Sequence, residues 1–179
     1  MKNPTKFLIE GVDRLGKSTL IKNLQQELGY HLVIHDQKPE RLRRYSDLPD
    51  PLFLYQWQTY NTMFNLIQEP FSRIIFDRAH LGELVYGPMY RKYDADYVLE
   101  LESGADTSHA RLVLLTTSDF SFVSDDGLSI DFSKKEQEQD HFVHAFRRST
   151  IQDKIIVDVS NGRGGYKDES TILAEVLKK

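Results

Sequence analysis

The chain has 179 residues, no cysteine and a formal net charge of −4 at pH 7. This length allows one domain with a buried core, and the lack of cysteine excludes disulfides and thiolate metal sites. The acidic balance argues against general nucleic-acid binding, although a small anionic ligand needs only a few well-placed cations. The first residues, MKNPTKFLIEGVD, contain no long apolar segment. We therefore expect a cytoplasmic protein that does not bind membranes.

Apolar runs alternate with helical patterns along the chain. The runs predict strands at 6–10, 30–35, 73–77, 111–117 and 154–159. Helical spacing predicts helices at 18–28, 52–68 and 170–177, a mostly helical segment at 82–103, and a helix after a polar lid at about 118–140 that buries Phe142 and Phe146. This alternation predicts a single α/β domain over residues 1–179, with a five-stranded parallel sheet flanked by helices in three layers.

The segment GVDRLGKS, at 11–18, lies between the first predicted strand and the first predicted helix. In this context the pattern Gly-x-x-x-x-Gly-Lys-Ser indicates a P-loop, whose backbone N–H groups and helix N-terminus bind phosphate oxygens. We expect Lys17 to reach the β and γ phosphates of ATP and Ser18 to bind Mg²⁺. The predicted nucleotide-binding residues of the loop are Gly11, Val12, Asp13, Arg14, Leu15, Gly16, Lys17, Ser18 and Thr19.

Asp77 ends the third predicted strand, where P-loop proteins place a carboxylate near the metal ion. The next residue is Arg78, whereas an ATPase motor would need a second acid to activate water. An arginine suits an anionic acceptor, so Arg78 is a candidate clamp for an acceptor phosphate. The alternative is a structural ion pair between Asp77 and Arg78. The segment TTSD after the fourth strand lacks an Asn-Lys-x-Asp element, which argues against a GTPase switch.

Two segments, FLIEGVDRLGKSTL and IIFDRAHLGELVYG, resemble the phosphate loop and the Asp-Arg segment of thymidylate kinases. The resemblance implies the P-loop kinase fold and ATP-dependent phosphorylation of a deoxynucleoside monophosphate. It also implies that Asp13 lies near the acceptor sugar and that Arg14 stabilises charge on the transferring phosphoryl group. The predicted lid contains no arginine, which agrees with this role for Arg14. The candidate catalytic residues are therefore Arg14, Lys17, Asp77 and Arg78.

The chain also departs from the thymidylate kinase pattern. Ala79, Gly82 and Gly87 stand where that family has an aromatic residue, then Ser, and then a Gln or Thr near the base. The family's Arg-Glu-Pro-Gly element after the second strand is here DQKPE, which keeps only Pro39. The resemblance therefore carries no base specificity.

A second segment, YQWQTYNTM at 55–63, resembles the deoxynucleoside kinases. There an aromatic residue followed by Gln contacts the base, which points to Trp57 and Gln58 as substrate residues. An amide can donate to and accept from a pyrimidine edge, and an aromatic face can stack on it. In that family a carboxylate after the second strand acts as general base, for which Asp36 and Glu40 are the candidates. The alternative is a core Trp57 and a solvated Gln58.

Three further groups have candidate roles. Tyr86 follows the Asp-Arg segment and is expected to wall the acceptor sugar, unless it only packs. Arg163 follows the fifth strand, where P-loop kinases place adenine, and is expected to stack on that base, the alternative being a flexible glycine loop. Lys134 and Lys135 either close over the phosphates or solvate a helix start.

Several functions remain open from the sequence. The chain is predicted to phosphorylate a deoxynucleoside monophosphate, and the alternatives are a deoxynucleoside kinase or a kinase of a hydroxymethylated base in DNA. An ATP-binding regulatory module is the non-enzyme alternative, against which Arg78 and the long lid argue. Thymidylate kinases are usually dimers, so the resemblance also implies a homodimer, for which the helix at 52–68 is the candidate interface.

Overall fold

The structure, a computed structural model, describes residues 4–30, 32–35, 49–125 and 131–178. A parallel five-stranded sheet forms its centre. The strands are β1 (Lys6–Glu10), β2 (Leu32–His35), β3 (Ile74–Asp77), β4 (Ala110–Thr116) and β5 (Lys154–Asp158). Their order in the sheet is β2-β3-β1-β4-β5. The phosphate loop leaves the carboxyl end of the middle strand, where parallel sheets usually bind ligands.

Helices cover the sheet and complete the predicted three-layer α/β fold. The helices are α1 (Lys17–Leu28), α2 (Pro49–Gln68), α3 (Leu81–Tyr86), α4 (Tyr97–Ser103), α5 (Lys135–Arg148) and α6 (Glu169–Leu177). A π-helical turn, Gly87–Arg91, directly follows α3, and a 3-10 turn, Phe132–Lys134, directly precedes α5. α1 packs beside α6, α2 packs beside α4, and α3 packs on α5.

The core follows the apolar periodicity of the sequence. Every residue of β1 and β4 is buried, as expected for strands with a helical layer on both faces. Phe142 and Phe146 are 1% and 7% exposed, which confirms their predicted place in the core.

Two element boundaries differ from the sequence prediction by two residues or more. The helix predicted to begin at residue 52 begins at Pro49, because proline is tolerated in a first helical turn, where its missing N–H would have no partner. The strand predicted from residue 30 begins at Leu32. Tyr30 is buried instead beside β1, where its hydroxyl donates to the Pro4 carbonyl at 2.7 Å.

A buried carboxylate, Glu102, connects α4 to the segments around it. It lies 2.5 Å from Nε2 of His80, and both side chains are 0% exposed. It also accepts from the hydroxyls of Ser149 and Thr150 at 2.8 and 2.7 Å. Burial raises the pKa of Glu102, but the hydrogen bonds from His80 and Thr150 outweigh burial and lower the pKa to about 2.

The lowered pKa of Glu102 predicts a specific loss of stability in acid. The unfolded chain, with the ordinary pKa of 4.5, binds this proton first, so stability falls as the pH drops from 4.5 towards 2. We expect Glu102→Gln to lower the free energy of unfolding at pH 7 by about 3 kcal/mol and to flatten its dependence on pH in this range. Urea unfolding at pH 7 and pH 3.5 tests this. Glu100→Gln, at an exposed position of the same helix, is the control, and an unchanged acid slope in Glu102→Gln would contradict the assignment.

Candidate active site

The loop between β1 and α1 borders a large cleft of about 840 Å³. Residues 13–19 of the predicted phosphate loop all line this cleft, whereas Val12 beneath them is fully buried. Asp77 and Arg78 reach the same cleft from the end of β3. The fold therefore brings the two sequence motifs together at one edge of the sheet.

Lys17 is folded into the loop itself. Its ammonium donates to the carbonyls of Gly11 and Val12 at 2.8 and 2.7 Å. Burial, and after it the positive charge of Arg78, lowers the pKa of Lys17 to about 8. A bound phosphate would oppose both effects, because an anion next to the ammonium favours its charged form.

Asp13 is surrounded by cations. Its Oδ1 lies 2.5 Å from Nη2 of Arg78 and 3.8 Å from Nζ of Lys17, and its Oδ2 lies 3.8 Å from Nζ of Lys135. Burial raises the pKa of Asp13, but the three cations outweigh burial and hold it below its ordinary value. Arg78 thus pairs with Asp13 and not with Asp77, so the ion pair considered between neighbours is absent from the described contacts.

Asp77 has a partner that the sequence reasoning missed. Its Oδ2 lies 2.7 Å from Nδ1 of His35, the last residue of β2. The two residues stand directly opposite each other in the parallel pair of β2 and β3. The histidine therefore orients the carboxylate that is the candidate metal ligand.

Glu10 holds the Asp-Arg segment against the phosphate loop. Its carboxylate, 1% exposed, accepts from the backbone N–H groups of Leu81 and Gly82 at 2.8 and 3.2 Å, at the start of α3. Arg78, which precedes this helix, has a φ of 71° and donates its backbone N–H to Ile9 at 3.1 Å. Strand β1 thus fixes the backbone on both sides of the arginine.

A second pocket, about 360 Å³ in volume, lies between α2 and the ends of β2 and β3. Gln58, His35 and Arg78 are among its lining residues, and Trp57 is not. Trp57 is 40% exposed on α2, near the exposed Leu54. The candidate bases Asp36 and Glu40 lie outside the described residues, and the implied dimer through this helix stays a prediction.

Gln56, two residues before Gln58, was not identified from the sequence. Its side chain is 0% exposed, and neither amide atom has a hydrogen-bond partner within the described residues. A buried amide without partners has a free-energy cost that an apolar side chain at this position would not have. Helical spacing could have found it, because Gln56 lies four residues from the buried Leu52 and four from the buried Tyr60.

Tyr86 lines a small third pocket of about 120 Å³, together with Arg78 and Gly11. Its ring meets Phe142 edge to face at 5.7 Å between centroids. Its buried hydroxyl has no hydrogen-bond partner in residues 4–30, 32–35, 49–125 and 131–178. Burial raises the pKa of this hydroxyl, which therefore stays protonated and able to donate.

The far side of the large cleft has aromatic walls. Phe122 and Tyr166 line it and meet edge to face at 4.6 Å between ring centroids. The Tyr166 hydroxyl donates to the backbone carbonyl of Arg14, which connects this wall to the phosphate loop. Arg163, the residue predicted to stack on adenine, is exposed and is not among the lining residues.

The candidate magnesium ligands fit a nucleotide-bound ion. The described residues contain no group of three or more His, Cys, Asp or Glu side chains that could hold a metal ion by themselves. Mg²⁺ bound with a nucleotide needs fewer, because phosphates and water supply most of its oxygens. Ser18 and Asp77 both line the large cleft, so a hydroxyl and a carboxylate are available there.

Within the described chain, no helix is long and apolar enough to cross a membrane. No family model and no curated protein matches the sequence. Solved structures do match. The YorR protein from Bacillus subtilis, in complex with phosphorylated GDP, is 18% identical, with 96% of this chain and 92% of that chain covered and a TM-score of 0.67.

Two named kinases are also similar. Thymidylate kinase from Candida albicans is 18% identical, with 98% of this chain and 89% of that chain covered and a TM-score of 0.65. Deoxyadenosine kinase from M. mycoides with bound dATP is 17% identical, with 94% and 95% covered and a TM-score of 0.58. At these identities the likeness establishes the fold, and this chain has the fold of the P-loop thymidylate and deoxynucleoside kinases.

Proposed function

We propose that this protein is a kinase that transfers the γ-phosphoryl group of ATP to a deoxynucleoside monophosphate. One observation carries the proposal: Arg78 lines the large cleft, the second pocket and the small third pocket together. A guanidinium at the junction of a phosphate-binding loop and a second pocket suits an acceptor that brings its own phosphate.

For this reaction the protein mainly has to position the two substrates and to neutralise the charge on the transferring phosphoryl group. An oxygen of the acceptor phosphate forms a bond to the γ phosphorus, and the bond from that phosphorus to the bridging oxygen of ADP breaks. The acceptor oxygen is already ionised near neutral pH, so no general base is required. Lys17 and Arg14 balance charge on the transferring group, Asp13 fixes the sugar, and Tyr86 walls it. Mg²⁺, held by Ser18 and Asp77, would neutralise the ATP phosphates when bound.

A deoxynucleoside kinase is the second candidate, because Gln58 lines the second pocket beside Arg78. In that case Arg78 would position the 5′-hydroxyl and a base would have to remove its proton. The acceptor panel distinguishes the two. ADP release from ATP and Mg²⁺ is measured with deoxynucleosides, ribo- and deoxynucleoside monophosphates, and a hydroxymethylated DNA duplex. Turnover with a deoxynucleoside monophosphate but not with its nucleoside supports the proposal, and turnover with nucleosides alone overturns it.

The unpartnered amide of Gln56 is buried and lines none of the three described pockets. We expect Gln56→Leu to raise the free energy of unfolding of the free protein by about 1 kcal/mol, because a buried amide without partners is removed. Urea unfolding measures the effect.

Gln58→Leu is the matched control for this stability measurement, since Gln58 is exposed on the same helix. It should leave stability nearly unchanged. A loss of stability in Gln56→Leu would contradict the expectation and would mean that a buried water or the core satisfies this amide.

A further inference from the structure

The neighbouring lysines 134 and 135, at the junction of the 3-10 turn and α5, have different surroundings. Lys135 is 3% exposed, and its ammonium lies 2.8 Å from Oε2 of Glu138 and 3.8 Å from Oδ2 of Asp13. Lys134 has a side chain 47% exposed, 3.0 Å from Asp131 and 5.7 Å from the centre of the Tyr90 ring. Only the second of the two lysines, Lys135, reaches the phosphate loop among the described contacts.

Burying an ammonium group costs free energy unless anions compensate for it. Glu138 is the close partner of Lys135, and its other oxygen accepts from the Tyr90 hydroxyl at 2.7 Å. These contacts hold the ammonium at the start of α5, 3.8 Å from Oδ2 of Asp13. The site thus contains a buried cation, at a position where packing alone would favour an apolar side chain.

Arg78 and Lys135 lie near different oxygens of Asp13. Oδ1 faces Arg78 and Oδ2 faces Lys135. A carboxylate held between a guanidinium and an ammonium resembles, in charge and in its paired oxygens, a phosphate held between the same groups. Arg78 also lines the second pocket, so a phosphate entering from there meets this guanidinium, while Nζ of Lys135 lies 3.8 Å from the other oxygen of Asp13.

We propose that Lys135 and Arg78 form a two-cation clamp for the acceptor phosphate, so that Lys135 makes the site select monophosphates over nucleosides. This inference rests on the proposed function, because it assigns a binding residue to the acceptor side of that reaction. Asp13 keeps the two cations from repelling each other while the acceptor site is empty.

Calorimetric titration separates this role from a structural one. The probes are the deoxynucleoside monophosphate with the highest affinity among the four common ones, and its nucleoside. We expect Lys135→Met to weaken binding of the monophosphate by about tenfold or more, since a charge-assisted contact is lost. Binding of the nucleoside and of ATP should change by less than about twofold, and Lys135→Arg should restore most of the affinity.

Lys134→Met is the matched control and should leave all three affinities unchanged. Equal losses for monophosphate and nucleoside in Lys135→Met would indicate a structural role and overturn the clamp. If Lys135→Met does not fold, Lys135→Met combined with Glu138→Gln removes both buried charges while keeping an acceptor for Tyr90, and the same titrations decide.

The clamp and the proposed function fail in different ways. If the wild-type protein binds the monophosphate no more tightly than the nucleoside, the clamp is wrong, whatever the turnover assay shows. If it binds the monophosphate more tightly through Lys135 but releases no ADP with it, the clamp stands and the proposed reaction is wrong.

Discussion

Arg14→Ala is expected to lower kcat by roughly a thousandfold, the scale on which an arginine that stabilises a transferring phosphoryl group acts. Arg14 is exposed at the mouth of the large cleft, on the loop that also carries Lys17. Its role is greatest in the transition state, where charge spreads over the transferring group. The dissociation constant for ATP should therefore change by only about twofold to fivefold.

The backbone around Arg14 makes alanine a fair replacement. Arg14 has a φ of 72°, and alanine brings the same Cβ into this conformation, so the substitution adds no backbone strain. The contact from Tyr166 goes to the backbone carbonyl of Arg14 and survives the change. Steady-state kinetics with saturating ATP and acceptor, together with ATP titration, measure the effect. Normal turnover in Arg14→Ala would show that charge stabilisation comes from another residue.

The elements of this fold follow from local patterns. Buried parallel strands carry uninterrupted apolar runs, which is why KFLIE, IIFD and RLVLLT were located within a residue or two. Asp77 and Arg78 were placed at a strand end by the same pattern, and glycine spacing located the loop. These features depend on neighbours in the chain, so the sequence alone contains them.

The pairing of His35 with Asp77 depends on the order of the strands in the sheet, which local sequence patterns do not determine. His35 ends the second strand, but only the placement of β2 beside β3 sets it opposite Asp77. The partner of Arg78 is likewise remote, since Asp13 lies on a different loop. Both contacts join segments that local periodicity treats separately.

Helical phase explains the remaining differences. Residues two apart on a helix face different ways, so Gln56 is buried while Gln58 is exposed. The neighbours Lys134 and Lys135 differ for a related reason, because one ends a 3-10 turn and the next begins α5. From the sequence, both lysines are equal candidates for a cation near the phosphates. In the structure, the change from 3-10 turn to α-helix between them buries only Lys135.

Gly11→Ala is expected to lower the free energy of unfolding by more than about 3 kcal/mol and to abolish ATP binding. Gly11 has a φ of 133°, which side-chain-bearing residues rarely adopt. A Cβ built there would lie 2.4 Å from the backbone oxygen of Leu115, and that oxygen belongs to β4, beside β1. Since a strand carbonyl cannot rotate away as a side chain can, either the loop or the sheet pairing must shift.

Gly16→Ala separates this steric conflict from backbone strain alone. Gly16 has a φ of 79°, but a Cβ there meets no atom within 4 Å. We expect this variant to lose only about 1 kcal/mol of stability, the cost of left-handed backbone for a residue with a side chain. Urea unfolding compares the two variants. Equal losses of stability in the two variants would mean that backbone strain alone causes them. The close approach of β1 and β4 at Gly11 would then not fix the position of the phosphate loop.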